Sequence, residues 1–393
     1  MKLVNKQISY CPNLLAILLP AYSIPAMKIK ILTGCLFLLI WQASSAQVLQ
    51  PGFDAQEYLD MLSITFGKYD SVRTAHGQPV NYHWNYRSQV VGLDNRWNLF
   101  LRDDQKVGVI SIRGTVGTTP SWLANIYAVM QPATGDLKLN DSTNFHYKLS
   151  DNENATVHTG WLISMASLAD DVERKIRQYY DKGVKDFIII GHSQGGGIAY
   201  LLRSYLYYHT KSNVLPADIT FKTYCSAAPK PGNVYYAYDY DFINRGGWSF
   251  TVVNAADWVP ETPMSIQRLK DLNPLNPFMN IKEALRHQKF FVRVYAGTVY
   301  NKLTKVTHKA VKKYQKYLGK KVGKEAAKKM PQLEKLHFSD NMNYQRTGTT
   351  IILMPDSAYY QQFPNDVHKG VGIWNHHTYE AYDRLVRKDY MKQ

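Results

Sequence analysis

Four apolar residues, Phe187 to Ile190, run directly into Gly191-His192-Ser193-Gln194-Gly195-Gly196-Gly197, and Ile198, Leu201, Leu202 and Leu206 follow at helical spacing. The unbroken apolar run reads as a strand buried on both faces, and the recurrence at three and four residues reads as an amphipathic helix. A Gly-x-Ser-x-Gly turn joins them. Side chains two before and two after the serine would collide in a turn that tight, and glycine has no Cβ to collide with. The first amides of the helix point at the same spot and can stabilise negative charge there. A Gly-rich turn with a capping serine is the plainer alternative. The strand before and the helix after favour a serine presented at the tip of the turn. Such a chain is constrained to an α/β fold, a mostly parallel central sheet flanked by helices.

The start of the chain reads as a leader. Met27-Lys28-Ile29-Lys30 gives a basic start, and Ile31 to Trp41 a mostly apolar run shorter than the roughly 20 residues a bilayer span needs. Ala43-Ser44-Ser45-Ala46 supplies small residues for cleavage after Ala46. Residues 1–46 are therefore expected to be a leader with a signal peptide, residues 1–26 being either an extension upstream of a start at Met27 or part of a longer leader, and the product to be secreted or periplasmic. An uncleaved anchor is the alternative. With the leader removed, Cys225 is the one cysteine of the three that remains, so no intramolecular disulfide can form. No His/Cys spacing matches a zinc site, and neither metal nor cofactor is expected.

Downstream, Asp54 to Phe66 predicts a helix; Gln89–Leu93 with Trp97–Arg102 a hairpin; Val107–Ile112 a third strand ending in Arg113-Gly114-Thr115. Ser121 to Met130 is strongly apolar and is either a short core helix or a mobile flap over an apolar cleft, with Trp122, Leu123 and Ile126 as its lid residues. A long helix runs from His158 to about Tyr180. Ile219–Cys225 and Phe250–Val253 read as strands, and Asp257 lies just past the second, where α/β sheets place reactive side chains. A solvated loop aspartate is the alternative. Thr349–Met354 reads as a last strand, and His376-His377 precedes a final helix, giving the chain order Ser, Asp, His.

Residues from about 264 to 345 break this rhythm and read as an insertion in a domain spanning 47–393. Phe290–Tyr295 could be a strand. From Tyr300 to Lys329 there are eleven lysines and one acid, Glu325, a large share of the net charge of +16. Apolar residues interleave with them, so a basic amphipathic helix is expected. Its alternatives are a solvated helix packed by one face, or adhesion to an anionic lipid or other polyanionic surface. Nucleic-acid binding is not expected, since no groove-reading motif is present. Oligomeric state is not legible.

Several motifs in one order resemble the class 3 lipases. These are Arg113-Gly114-Thr115, Ser121 to Ile126, His158-Thr159-Gly160-Trp161, Gly191-His192-Ser193-Gln194-Gly195-Gly196, Pro229-Lys230-Pro231-Gly232-Asn233, Asp257-Trp258-Val259-Pro260 and His376-His377-Thr378-Tyr379. The resemblance implies an α/β-hydrolase fold, with Ser193 as nucleophile, Asp257 as orienting acid and His376 as base, on the family's His-x-x-Tyr spacing. His377 is the rival base. It further implies an oxyanion hole from Thr115 and the Gln194 amide, a lid at Ser121 to Ile126, and a structural role for His158. Gln194 stands where leucine is commoner, which predicts a more polar cleft. The implied function is ester hydrolysis through an acyl-enzyme, on acylglycerols or another lipid or ester substrate. A phospholipase, a feruloyl-type esterase, or a non-catalytic protein that binds anionic surfaces remain alternatives.

Overall fold

The computed structural model describes residues 48–67, 81–273, 275, 276, 283, 285–365 and 370–391, so the predicted leader over 1–46 lies outside the described residues. The folded unit runs from Gln47 to Gln393. Its elements in chain order are α1 (Ala55–Phe66), β1 (Tyr82–Arg87), β2 (Trp97–Arg102), β3 (Val107–Ile112), α2 (Thr119–Ile126), β4 (Met130–Pro132), β5 (Thr134–Asn140), β6 (Thr143–Lys148) and β7 (Thr156–His158). Then come α3 (Thr159–Tyr180), β8 (Asp186–His192), α4 (Gln194–Lys211), β9 (Thr220–Ser226), β10 (Gly232–Asn233), α5 (Val234–Ile243) and β11 (Ser249–Asn254). The rest are α6 (Phe290–Tyr314), a π-helical stretch Gln315–Lys321, α7 (Val322–Lys329), β12 (Tyr344–Gln345), β13 (Thr349–Leu353), α8 (Ser357–Gln362) and α9 (Tyr379–Tyr390).

Seven strands form the central sheet in the order β1-β2-β3-β8-β9-β11-β13. The first three pair antiparallel, and β3 to β13 pair parallel. This is the α/β-hydrolase arrangement. Side chains alternate across a strand, and β8 uses both faces. Phe187 and Ile189 enter the core under α3 and α4, while Ile188 and Ile190 enter a second core under α1 and α9. An unbroken apolar run is what a strand sandwiched between two helical layers requires.

Two expected strands are corrected. Gln89–Leu93 does not pair with β2. Gly92 and Asp94, both at positive φ, fold Val91 back on Asn95 as an isolated bridge, and β1 takes the place beside β2. Phe290–Tyr295 is helix, the first turns of α6. Its β-branched and aromatic residues lie exposed with no sheet edge beside them, so a helix, which bonds its own backbone, is the state that satisfies the chain.

The insertion between β11 and β13 is closed at its neck. Ile266 bridges Met342, and the buried Arg268 guanidinium reaches Asp271 at 3.0 Å and Asp340 at 2.8 Å. Past the neck, Val311 and Ala326 are buried in the first core. Gly319 and Gly323 let the helix approach Val129 and Tyr127, since a Cβ at Gly323 would stand 2.6 Å from the Tyr127 hydroxyl.

Candidate active site

Ser193 sits between β8 and α4 at φ 60° and ψ −127°, a left-handed conformation forced on a non-glycine residue. The flanking glycines explain how it is tolerated. A Cβ at Gly191 would lie 2.2 Å from the Gly195 backbone, and one at Gly195 would lie 2.3 Å from the Ile112 carbonyl oxygen. The helix therefore starts hard against the end of β3, with its first unbonded amides at the strand tips. Backbone hydrogen bonds from Ser193 N to Ser226 O (2.9 Å) and from Gly197 N to Ser193 O (3.1 Å) fix the turn.

Asp257 follows β11 in a buried loop. Its Oδ1 accepts from the Val259 amide at 3.0 Å. Its Oδ2 accepts from the Tyr382 hydroxyl at 2.8 Å and from His377 Nδ1 at 2.6 Å. Both carboxylate oxygens are thus held, and the imidazole is turned by the carboxylate. His377 Nε2 is buried and has no hydrogen-bond partner among the described residues. Ser193 and His377 line one cavity of about 820 Å³.

The expectation of His376 as the base is corrected here. Its Nδ1 accepts from the Tyr359 hydroxyl at 2.9 Å, its Nε2 meets the Asn365 amide group at 2.6 Å, and its carbonyl accepts from Asn254 Nδ2 at 2.9 Å. Burial lowers its pKa. His376 therefore ties the end of β11 to α8. The two histidines share a 3-10 turn, Asn375–His377, in which neighbouring side chains diverge by about a third of a turn, so one alone can face Asp257. The tyrosine on the carboxylate is Tyr382, whereas the Tyr379 of the His-x-x-Tyr spacing bonds to Ser63 at 3.1 Å.

In the sequence His192, beside the serine, is only part of the turn motif, and the structure gives it a role. Its Nε2 donates to the His377 carbonyl at 3.0 Å, and its Nδ1 accepts from Ser226 Oγ at 3.0 Å. Ser226 in turn accepts from Tyr58 at 2.7 Å. Burial, and then the neighbouring His377 ring, hold its pKa well below the ordinary imidazole value, so it stays neutral and props the His377 backbone. Neither Tyr58 nor Ser226 carries any sequence signal of this kind.

Thr115 lies in the loop between β3 and α2, and its Oγ1 accepts from Asn125 Nδ2 at 2.9 Å. Asn125 is a hub. Its Oδ1 accepts from Gln194 Nε2 at 2.9 Å and from Trp161 Nε1 at 3.2 Å, and its carbonyl accepts from His158 Nε2 at 3.2 Å. Gln194 Nε2 also donates to the Ser121 carbonyl at 2.7 Å. Gln194 lines the cavity, but the expected polar contribution of its side chain is corrected: the side-chain amide is buried and bonded to Ser121 and Asn125 of α2. His158 N-caps α3 and is pushed down by burial to about 3.

The three lid residues separate. Leu123 is buried with Ala124, against Gly160, where a Cβ would come within 2.0 Å of the Ala124 carbonyl oxygen. Trp122 and Ile126 are exposed and line the cavity. Trp374 lies 6.3 Å from Trp122, 5.0 Å from Trp258 and 5.8 Å from the His377 ring, centre to centre. Three exposed tryptophans thus rim the mouth. Among the described residues no group of His, Cys, Asp or Glu could hold a metal ion, and no helix is long and apolar enough to cross a membrane.

With this geometry established, comparison with known proteins gives a consistent likeness. Residues 109–267 match the family model of lipase (class 3). Among solved structures, the chain is similar to lipase II from Rhizopus niveus, at 22% identity, covering 53% of this chain and 74% of that one, with a TM-score of 0.39. It is similar to the Rhizomucor miehei lipase in its propeptide complex at 19% identity, covering 53% and 62%, with a TM-score of 0.38. A triacylglycerol lipase from Penicillium expansum is similar at 16% identity, covering 54% and 75%, with a TM-score of 0.38. No curated protein sequence matches the chain.

Proposed function

We propose that this chain, which belongs to the class 3 lipase family and is a serine ester hydrolase, cleaves acylglycerol esters with Ser193, His377 and Asp257 as its catalytic triad. The observation that carries the assignment is the 2.6 Å bond from His377 Nδ1 to a fully bonded Asp257, with Nε2 left uncommitted in the cavity that Ser193 also lines. A serine hydroxyl is a weak nucleophile until a base removes its proton, and the base works only in the right tautomer. Asp257 supplies that tautomer by accepting the hydrogen bond from Nδ1–H, which leaves the Nε2 lone pair free.

In the reaction, Ser193 Oγ attacks the ester carbonyl carbon while its proton passes to His377 Nε2. The carbonyl oxygen becomes an oxyanion, which the Thr115 hydroxyl and the backbone N–H of Gln194 stabilise. Collapse breaks the ester C–O bond, and the leaving alcohol takes the proton from His377. Water, deprotonated by His377, then attacks the acyl-enzyme, and the acid leaves with Ser193 restored. The tryptophan rim and apolar cavity suit an acyl chain better than a charged substrate. Cleavage after Ala46, as the leader pattern predicts, would release a secreted or periplasmic product.

A fluorophosphonate probe is expected to label Ser193, and Ser193→Ala to lose at least about 10⁴-fold in turnover with the fold retained. A panel of triglycerides, short esters, phospholipids and feruloyl esters then ranks the substrates. Full activity in Ser193→Ala would reject the assignment, and a preference for phospholipid or feruloyl ester would replace acylglycerol as the substrate class.

A further inference from the structure

The two halves of the long insertion helix live in different surroundings. Its C-terminal part is packed: Val311, Gly319 and Ala326 are buried, with Tyr314 and Leu318 turned to the core. The first turns of α6 are not. Phe291 is 84% exposed, Tyr295 74% and Val294 50%, and an apolar groove of about 640 Å³ lies between this half and the segment Gln267–Leu272. Leaving several large apolar side chains in water is unfavourable, and contiguous exposure of this kind marks an interaction surface.

The outward stripe of the helix continues from these residues into lysines. Phe291, Val294, Tyr295 and Thr298 are followed on the same face by Lys302, Lys305, Lys309, Lys312, Lys316 and Lys320, all exposed and spaced by three or four. From Phe290 to Lys329 Glu325 is the one acid. The 25 residues of α6 extend about 37 Å at 1.5 Å per residue.

We propose that this stripe is a docking surface for an anionic lipid bilayer. The aromatic and aliphatic residues of the first turns enter the boundary between headgroups and acyl chains, and the lysines along the same face meet lipid phosphates. Charge selects the occupant. A second copy of the chain would bring one lysine stripe against another, whereas an anionic bilayer offers both the opposite charge and an apolar layer for the exposed tip. A polyanion such as DNA or heparin matches the lysines but leaves Phe291 and Tyr295 in water. Docking needs no residue of the catalytic centre, so it stands or falls separately from the triad.

The test is co-sedimentation of the chain, carrying Ser193→Ala to prevent lipid hydrolysis, with vesicles of phosphatidylcholine alone or of equimolar phosphatidylcholine and phosphatidylglycerol. Binding to the anionic vesicles is expected to be at least about tenfold stronger and to weaken as salt shortens the screening length. The combined Lys302→Gln, Lys305→Gln, Lys309→Gln, Lys312→Gln, Lys316→Gln and Lys320→Gln variant should bind both vesicles alike. Phe291→Ser with Tyr295→Ser should remove the binding that survives high salt. Both sets, made also with Ser193 intact, should keep the unfolding temperature and the hydrolysis of a soluble short ester. Equal binding of the unaltered stripe to both vesicles would overturn the proposal. So would unchanged anionic binding in the lysine variant, or tighter binding to heparin or duplex DNA than to anionic vesicles that is indifferent to Phe291→Ser.

Discussion

His376 and His377 are neighbours with opposite surroundings, and substitution separates their roles. His377→Ala is expected to lower kcat by about 10⁴-fold or more, because among the described residues no other imidazole is bonded to Asp257. His376→Ala should instead act on stability, through the loss of its contacts to Tyr359 and Asn365, with kcat reduced far less. Steady-state kinetics and denaturant titration on the pair check both. Asn125→Ala removes the amide that holds Thr115 and is expected to cost about ten- to a hundredfold in kcat with KM nearly unchanged, as for a group that matters chiefly in the transition state. Ser193, Asp257 and the presence of a late histidine were legible in the chain, since the first two follow strand ends and all three lie inside local motifs. The choice between two adjacent histidines was not. It turns on which side chain of a 3-10 turn faces a carboxylate 120 residues earlier in the chain.

Among the elements, α2 depends on tertiary support. Its eight residues are too few to hold a helix alone. They are held by Gln194 and Trp161 through Asn125, and by the close contact of Ala124 with Gly160. His158 belongs to the same assembly and makes it pH-sensitive. Burial sets its folded pKa at about 3 against an ordinary 6.5, so between those values the unfolded chain binds a proton that the folded chain refuses. The contribution is whole above about pH 6.5 and is lost as pH falls towards about 3, at about 1.4 kcal/mol per pH unit. His192, lowered for the same reason, adds in the same direction. Urea midpoints measured across this range should fall with pH, and His158→Gln should flatten the slope. The periodicity of Ser121 to Met130 announced an apolar helix. It did not announce that Leu123 would be core while Trp122 and Ile126 face the cleft, because a single helix turn carries both faces.

At the scale of the whole molecule, the insertion departs from the sheet and returns to it through one buried ionic neck. Arg268→Ala would leave the buried Asp271 carboxylate without its partner and is expected to destabilise the neck by about 3–5 kcal/mol. Limited proteolysis should then cut within residues 264–345 faster than in the unaltered chain. The sequence by itself determined the strands β3, β8, β9, β11 and β13, the serine at the tip of β8, the acid after β11 and the lysine stripe, because periodicity, glycine positions and charge are properties of neighbours along the chain. The tertiary structure alone decided the base, the buried service of Gln194, and the helical state of Phe290–Tyr295. Each of these depends on what stands opposite the residue in space, a carboxylate, a helix or no sheet edge, and such partners lie too far along the chain for local pattern to specify.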